Sequence, residues 1–238
     1  STLEESQKAK LDLVARKLDL KPGMKVLDIG CGWGGAAKYF AETYGVSVIG
    51  ITISKEQVSY ANEQCEGLDV DIRLLDYREL DEQFDAIYSI GMFEAVGYKN
   101  YRKYFEVVHH CLKKEGVFLL HTIGVDQSTT STDPWVEKYI FPNGMMPSSK
   151  QIAGAIEGLF KIDDWHNFGS DYDKTIMCWH KNFTQHYQSL NHKYDQKFCR
   201  MWTYWLLLSA ASFRSHSNHL WQILLSQPES KNLSRAFR

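Results

Sequence analysis

Apolar and polar positions along this chain follow two rhythms. Residues 3–20 place Leu3, Leu11, Val14 and Leu18 near helical spacing, with Thr2 and Glu5 set for a capping box. Pro22-Gly23 ends that helix. Short apolar runs then recur at 25–29 (KVLDI), 46–51 (VSVIGI), 70–75 (VDIRLL), 84–90 (FDAIYSI) and 116–123 (GVFLLHTI), and read as strands. Helical patterns separate them at 36–44, from Ser54 to about Cys65 with Gln57 as capping-box partner, and at 100–112. This alternation predicts an α/β fold with a doubly wound, mostly parallel sheet. After Ile123 the rhythm changes. Residues 124–150, rich in Ser, Thr, Pro and Gly, are too long for a mere connection and read as an inserted loop. A helix from Gln151, a strand at 161–168, helices at about 172–190 and 193–214, a strand at 219–225 and a frayed tail after Gln227 complete the expectation.

The turn after the first strand carries Gly30, Gly32 and Gly35, spaced as in a dinucleotide fingerprint. A nicotinamide site also needs an acid at the end of the second strand, about 20 residues on. Here that strand ends GITIS, and the next acid, Glu56, lies inside the following helix. An adenosyl-sulfonium ligand fits better. Asp28 can meet a cationic ligand head or orient the turn, and Gly30, Gly32 and Gly34 let backbone approach closely. Asp76, after the third strand, can accept from an adenine amino group, with Tyr77 beside it. Taken alone, Asp76 would be a turn cap.

Composition narrows the field modestly. With 238 residues, 44% apolar and 24% charged, the chain reads as one globular domain, or one with an embellishment. A net charge of −2 and no basic stripe argue against a nucleic-acid partner. The five cysteines form no C-x-x-C pair, so neither a zinc site nor a disulfide framework is expected, and free thiols fit a reducing cytoplasm. His109, His110 and Cys111 are adjacent on a helix, face different ways and read as surface and core, not metal ligands. The longest apolar run, WLLLSAASF, is too short to span a bilayer. The chain starts without Met in a helical pattern and reads as a fragment.

Six stretches together, VLDIGCGWGG, GITIS, GMFEAVG, LLHTIG, DPWVEKYIFPNG and DWHNFGSDYD, resemble the cyclopropane-fatty-acyl-phospholipid synthase family, related to the mycolic acid cyclopropane synthases. The resemblance runs from about Leu3 to Gln227. It implies a Rossmann-like class I methyltransferase with a seven-stranded sheet. Residues 1–123 would form the cofactor half, 124–227 the acyl-substrate half and 228–238 a tail. It implies methyl transfer from S-adenosylmethionine to a cis double bond in a membrane phospholipid, giving a cyclopropane ring. Asp28, Ile29, Gly30, Cys31, Gly32, Trp33, Gly34, Gly35, Thr52, Ile53, Gln57, Asp76 and Tyr77 would line the cofactor, with Thr52 and Gln57 replacing the missing ribose acid.

By the same resemblance the base is a bound bicarbonate ion held by Glu94, His121, the backbone of Ile123 and Tyr172. Glu94 would share a proton with the ion while His121 and Tyr172 donate to it. Extra aromatic residues in the second half could shield a carbocation, although most rings simply fill core.

The chain departs from the family in three ways. It lacks the family's N-terminal domain and a bicarbonate-contacting Cys ahead of the adenosyl domain, which predicts folding with poor or no turnover. Ala95 stands where the family usually has His, and Ser209 where it often has Cys, so a cysteine nucleophile there is excluded. Membrane contact at the inner face and a homodimer of the longer protein are further implications. Phe141, Met145 and Met146 in the 124–150 loop read as exposed, suiting either an interface or a lid. Rival readings are a small-molecule methyltransferase using Glu94 or His121 as direct base, and a non-catalytic lipid- or cofactor-binding remnant.

Overall fold

The computed structural model describes residues 2–190 and 192–231. The chain opens with α1 (Leu3–Lys17), β1 (Lys25–Ile29), α2 (Gly35–Tyr44), β2 (Ser47–Thr52), α3 (Lys55–Gln64), β3 (Val70–Leu74) and β4 (Phe84–Ile90). There follow α4 (Tyr101–Cys111), β5 (Leu112–Val125), α5 (Pro134–Tyr139), α6 (Ser149–Ile156), β6 (Lys161–Asn167), α7 (Gly169–Leu190), α8 (Gln196–Arg214) and β7 (Asn218–Ser226). One seven-stranded sheet runs in the order β3-β2-β1-β4-β5-β7-β6. The first five strands pair in parallel, whereas β7 is antiparallel to both β5 and β6. The expected α/β architecture is the one observed.

Alternation along the strands sends apolar residues to both faces. Phe118 and Leu120 of β5 join Ile223 and Leu225 of β7 in a core closed by α4 and α6. Val117, Leu119 and Leu224 face the other way, beneath Val14 of α1 and Leu18, which caps that helix. A third cluster, Ile176, Leu206, Ala210 and Phe213, joins α7 and α8. The strand order reverses direction between β1 and β4. At such a switch point, ligands bind beyond the carboxyl ends of the strands.

Several boundaries move. The capping box of Thr2 and Glu5 forms, but at Ser54 only half of the expected box does. Ser54 Oγ accepts from the Gln57 N–H, while the Gln57 side chain turns to Thr52. Ser148 and Gln151 make a capping box the pattern did not reveal, so α6 starts two residues early. The 124–150 loop contains α5, started by Asp133 and Pro134. Met145 is buried, 7% exposed, against the expectation, whereas Phe141 is 54% exposed as expected. Residues 228–231 are not frayed: Ser230 is buried and bonds Glu115 and Lys161. The rest of the expected tail, 232–238, lies outside the described residues. Cys111 is buried and the His110 side chain exposed, on different sides of α4. Among the described residues no helix is long and apolar enough to cross a membrane.

Candidate active site

Two groups of side chains meet at the carboxyl ends of β1, β4 and β5. The first surrounds the glycine turn. Gly30 and Cys31 both donate their N–H to the Ile51 carbonyl at 3.0 Å, which pins the turn to the end of β2. Gly30 has φ +79° and a Cβ there would sit 2.5 Å from Met92 Cγ, so only glycine fits. Gly32, at φ +55°, and Gly35 face open space, with nothing within 4 Å of an added Cβ. They border a cavity of about 390 Å³ lined also by Asp28, Cys31 and Ala36.

Asp28 is buried and accepts from Tyr88 Oη at 2.9 Å. Burial pushes its carboxyl up to about 7, with the Tyr88 bond opposing. A cationic ligand would pull it back to the carboxylate. The opposite wall of the cavity comes from α1, which sequence reasoning left out: Gln7, Lys10 and Leu11. Lys10 Nζ donates to Gln7 Oε1 at 3.1 Å, and burial lowers its pKa. Among the described residues Lys10 makes no ion pair, so this wall offers a cation with donors to spare. Gln7, Lys10 and Lys17 share one side of α1 at helical spacing, a polar line beside the apolar stripe, and that line is the signal the sequence held.

The remaining expected cofactor residues are distributed unevenly. Thr52 is buried and donates to Gln57 Oε1 at 2.6 Å, closing the end of β2 with paired polar groups. Ile53 is 79% exposed, and Trp33, 56% exposed, meets Tyr60 edge-on at 5.4 Å. Ile29 is core, its carbonyl taken by Ser89 Oγ, and its side chain therefore cannot line the cavity. Asp76 caps the short turn at Tyr77–Glu79 and forms a two-pronged pair with Arg78 at 2.6 and 2.9 Å. The turn-cap role of Asp76 is thus present, and Arg78 is a partner the sequence reading missed. Tyr77 packs edge-on against Tyr104 at 5.2 Å. Thr52 ends β2, Ile53 follows it, Gln57 lies in the first turn of α3, and Asp76 and Tyr77 follow β3, all outside the lining of this cavity.

The second group is buried and carries unmet bonds. β4 ends at Ile90, and a short turn over Phe93–Ala95 brings Glu94 back over β5. Glu94 Oε1 accepts from the Ile123 N–H at 2.6 Å, and its other oxygen is buried without a partner. The Ile123 N–H, expected on a bound ion, is therefore engaged in positioning Glu94. Burial raises the Glu94 pKa and the Ile123 bond opposes it. The Glu94 carbonyl in turn accepts from the Met145 N–H at 2.7 Å, tying the end of the inserted loop to this turn.

His121, on the α1 face of β5, is buried with Nδ1 unpartnered. Burial pushes its pKa down to about 3, helped by the charges of Lys10 and Lys17, so the imidazole is neutral. Tyr172 lies in the first turn of α7, edge-on to Phe213 at 4.9 Å and to Trp179 at 5.7 Å. Burial, and then the charge of Glu94, push it up to about 12, so its hydroxyl keeps its proton. A carboxyl prone to protonation and two neutral side chains with protons to donate make a set for a small oxyanion.

The family model described as mycolic acid cyclopropane synthetase matches residues 1–223. The cyclopropane-fatty-acyl-phospholipid synthase of Escherichia coli (strain K12) is 55% identical over 225 residues, covering 94% of this chain and 59% of that protein. The chain thus spans about three-fifths of that relative's length. The solved structure of the cyclopropane synthase MmaA2 from Mycobacterium tuberculosis superposes with a TM-score of 0.89 at 28% identity, covering 95% of this chain and 86% of that one. The mycolic acid cyclopropane synthase CmaA1, solved in complex with SAH and CTAB, gives the same TM-score, identity and coverage.

Proposed function

The chain belongs to the mycolic acid cyclopropane synthetase family, and from that premise we propose that it converts a cis double bond in a phospholipid acyl chain to a cyclopropane ring. The methyl donor is S-adenosylmethionine. One observation carries the reading: a glycine-walled cavity and a buried cluster with unmet bonds share the carboxyl ends of the same strands.

The residues present fit the donor. Open space at Gly32 and Gly35 admits it, Lys10 can meet its carboxylate, and Asp28 can face its positive end. Thr52 and Gln57 carry the polar groups for ribose, and Ile53, Asp76 and Tyr77 stand where adenine would lie. When bound, S-adenosylmethionine supplies an electrophilic methyl on a cationic sulfur. The chain's task is then to hold the alkene in line and keep water away from the positive charge that develops on it. Tyr172, Phe213 and Trp179 form an aromatic wall, and a desolvated ring face stabilises a cation by roughly 2 kcal/mol.

Ring closure releases a proton from the added methyl, and an acceptor must stand close by. Glu94 offers its unpartnered Oε2, while His121 and Tyr172 offer protons. Bicarbonate satisfies all three, because it shares a proton with Glu94 and accepts from the others. It would supply the base. Glu94 acting alone is the competing assignment.

Lipid access is proposed through an apolar surface shared by the inserted loop and α8. Trp135 meets Tyr204 edge-on at 5.0 Å, Phe141 meets Trp205 at 5.6 Å, and Leu207 and Leu208 are exposed. These side chains suit the headgroup boundary of a bilayer, which would place the protein at the inner membrane face.

The test incubates the chain with methyl-labelled S-adenosylmethionine and vesicles of unsaturated phosphatidylethanolamine and phosphatidylglycerol. Labelled acyl chains heavier by one CH2, with the double bond lost, are expected. Label on the headgroup nitrogen would contradict the proposal. Omitting bicarbonate should slow the reaction; an unchanged rate assigns the base to Glu94 alone.

A further inference from the structure

A row of polar side chains crosses three strands beneath α1. His121 of β5 is the register partner of Gln222 of β7, and Gln222 is the partner of His166 of β6. Cross-strand partners share a face, and here it is the face of Val117, Leu119 and Leu224, under α1. Gln222 is fully buried, and neither its Oε1 nor its Nε2 has a hydrogen-bond partner. The Nδ1 of its neighbour His121 has none either. Three unmet polar atoms on two adjacent residues would cost roughly 1–3 kcal/mol each if left so. Opposed Cβ atoms in an antiparallel pair lie about 4.5–5.5 Å apart. At that spacing, a turn about the soft terminal torsion of Gln222 lets its amide reach the imidazole.

The far end of the row sets a direction. Lys17 Nζ, bound to Asp164 at 2.9 Å, lies 3.5 Å from Nδ1 of His166. An ammonium only donates, so Nδ1 of His166 accepts and the ring's proton belongs on Nε2. Donated to Gln222 Oε1, that proton would turn the amide Nε2–H toward His121.

We propose that Gln222 is a positioning residue, whose amide donates to Nδ1 of His121 and holds that ring as the Nε2–H tautomer. The free N–H of His121 then points away from the row, available to an oxygen acceptor beside Glu94. This rests on reading Glu94, His121 and Tyr172 as the acid–base centre. With the opposite tautomer His121 would present a lone pair, and an oxyanion there would be repelled. The low pKa of His121 agrees, since it leaves one proton to place.

The test is a long-range nitrogen–proton correlation spectrum of the chain with labelled histidines, free of cofactor and lipid. Signals of His121 are assigned by their loss in His121→Gln. The wild-type ring should be protonated on Nε2 and bare on Nδ1. Gln222→Leu should release the ring to a mixture, and Gln222→Glu, which can only accept, should move the proton to Nδ1. In turnover, Gln222→Leu should lower kcat by on the order of 10- to 100-fold, as when a histidine loses its outer partner. The KM for S-adenosylmethionine should change little. A wild-type ring protonated on Nδ1, or an unchanged tautomer in folded Gln222→Leu, would overturn the proposal. The wild-type spectrum decides even if the variants do not fold, and it is independent of whether the chain turns over lipid.

Discussion

The glycine-turn end of the site and the Glu94–His121 end handle their polar groups in opposite ways. Around the turn the side chains come in settled pairs: Tyr88 on Asp28, Gln57 on Thr52, Arg78 on Asp76. What is left open there is space, bordered by Gly32 and Gly35. At the other end Glu94 Oε2, His121 Nδ1 and both amide atoms of Gln222 are buried without partners. On the proposed reading, one end offers a preformed space to the methyl donor. The other is a set of unmet bonds, and buried groups of that kind are expected where chemistry uses them. Mutations should therefore separate the two ends, binding failing at one and turnover at the other.

The sharpest break is Glu94→Gln. The amide still accepts from the Ile123 N–H but no longer shares a proton, so kcat should fall by roughly 10²- to 10⁴-fold. Calorimetric affinity for S-adenosylmethionine should stay within about twofold, since Glu94 is not on the cavity wall. Loss of binding in that variant would merge the two ends into one.

Gly32→Val tests the opposite end. Its Cβ and methyls would enter the cavity, weakening S-adenosylmethionine binding by roughly 10- to 100-fold. The left-handed backbone should cost about 1–2 kcal/mol in urea unfolding. Lys10→Met removes the cation facing that cavity. Its affinity loss should be about tenfold, the lower end of what a charge-assisted hydrogen bond contributes.

The smallest effect is on stability against pH. The His121 pKa lies at about 3 in the folded chain, against an ordinary 6.5. On acidification the unfolded chain takes up this proton first. Stability from the neutral ring is whole above about 6.5 and is lost as pH falls toward about 3. Asp28, raised from 3.8 to about 7, has the opposite slope, with stability lost as pH rises through that interval. Comparing wild type with His121→Gln cancels the Asp28 part. Between about pH 7 and about pH 5 the urea midpoint of the wild type should drop relative to that of His121→Gln.

The same contrast explains what the sequence could reveal. Glycine turns, strand ends and alternation are local, so β1, the turn at Gly30 and the order of the strands were legible along the chain. Ser54 was legible as the cap of α3, with Gln57 as its partner through the backbone N–H. Side chains joined by register were not. Gln222 meets His121 only because β7 inserts antiparallel between β5 and β6. Lys10 joins the glycine turn only once α1 is laid over the sheet. Met145 looked exposed because the turn that takes its N–H, at Glu94, is 51 positions away in the chain. The resemblance named Glu94, His121 and Tyr172, but not the bond from Ile123 that aims Glu94.

The most direct measurement is an isothermal titration of S-adenosylmethionine into this chain, with NADH as the comparison and Gly32→Val as the control. The sulfonium ligand should bind, NADH should not, and the valine variant should lose the heat. Binding of NADH, or no difference between the valine variant and wild type, would contradict the proposed function.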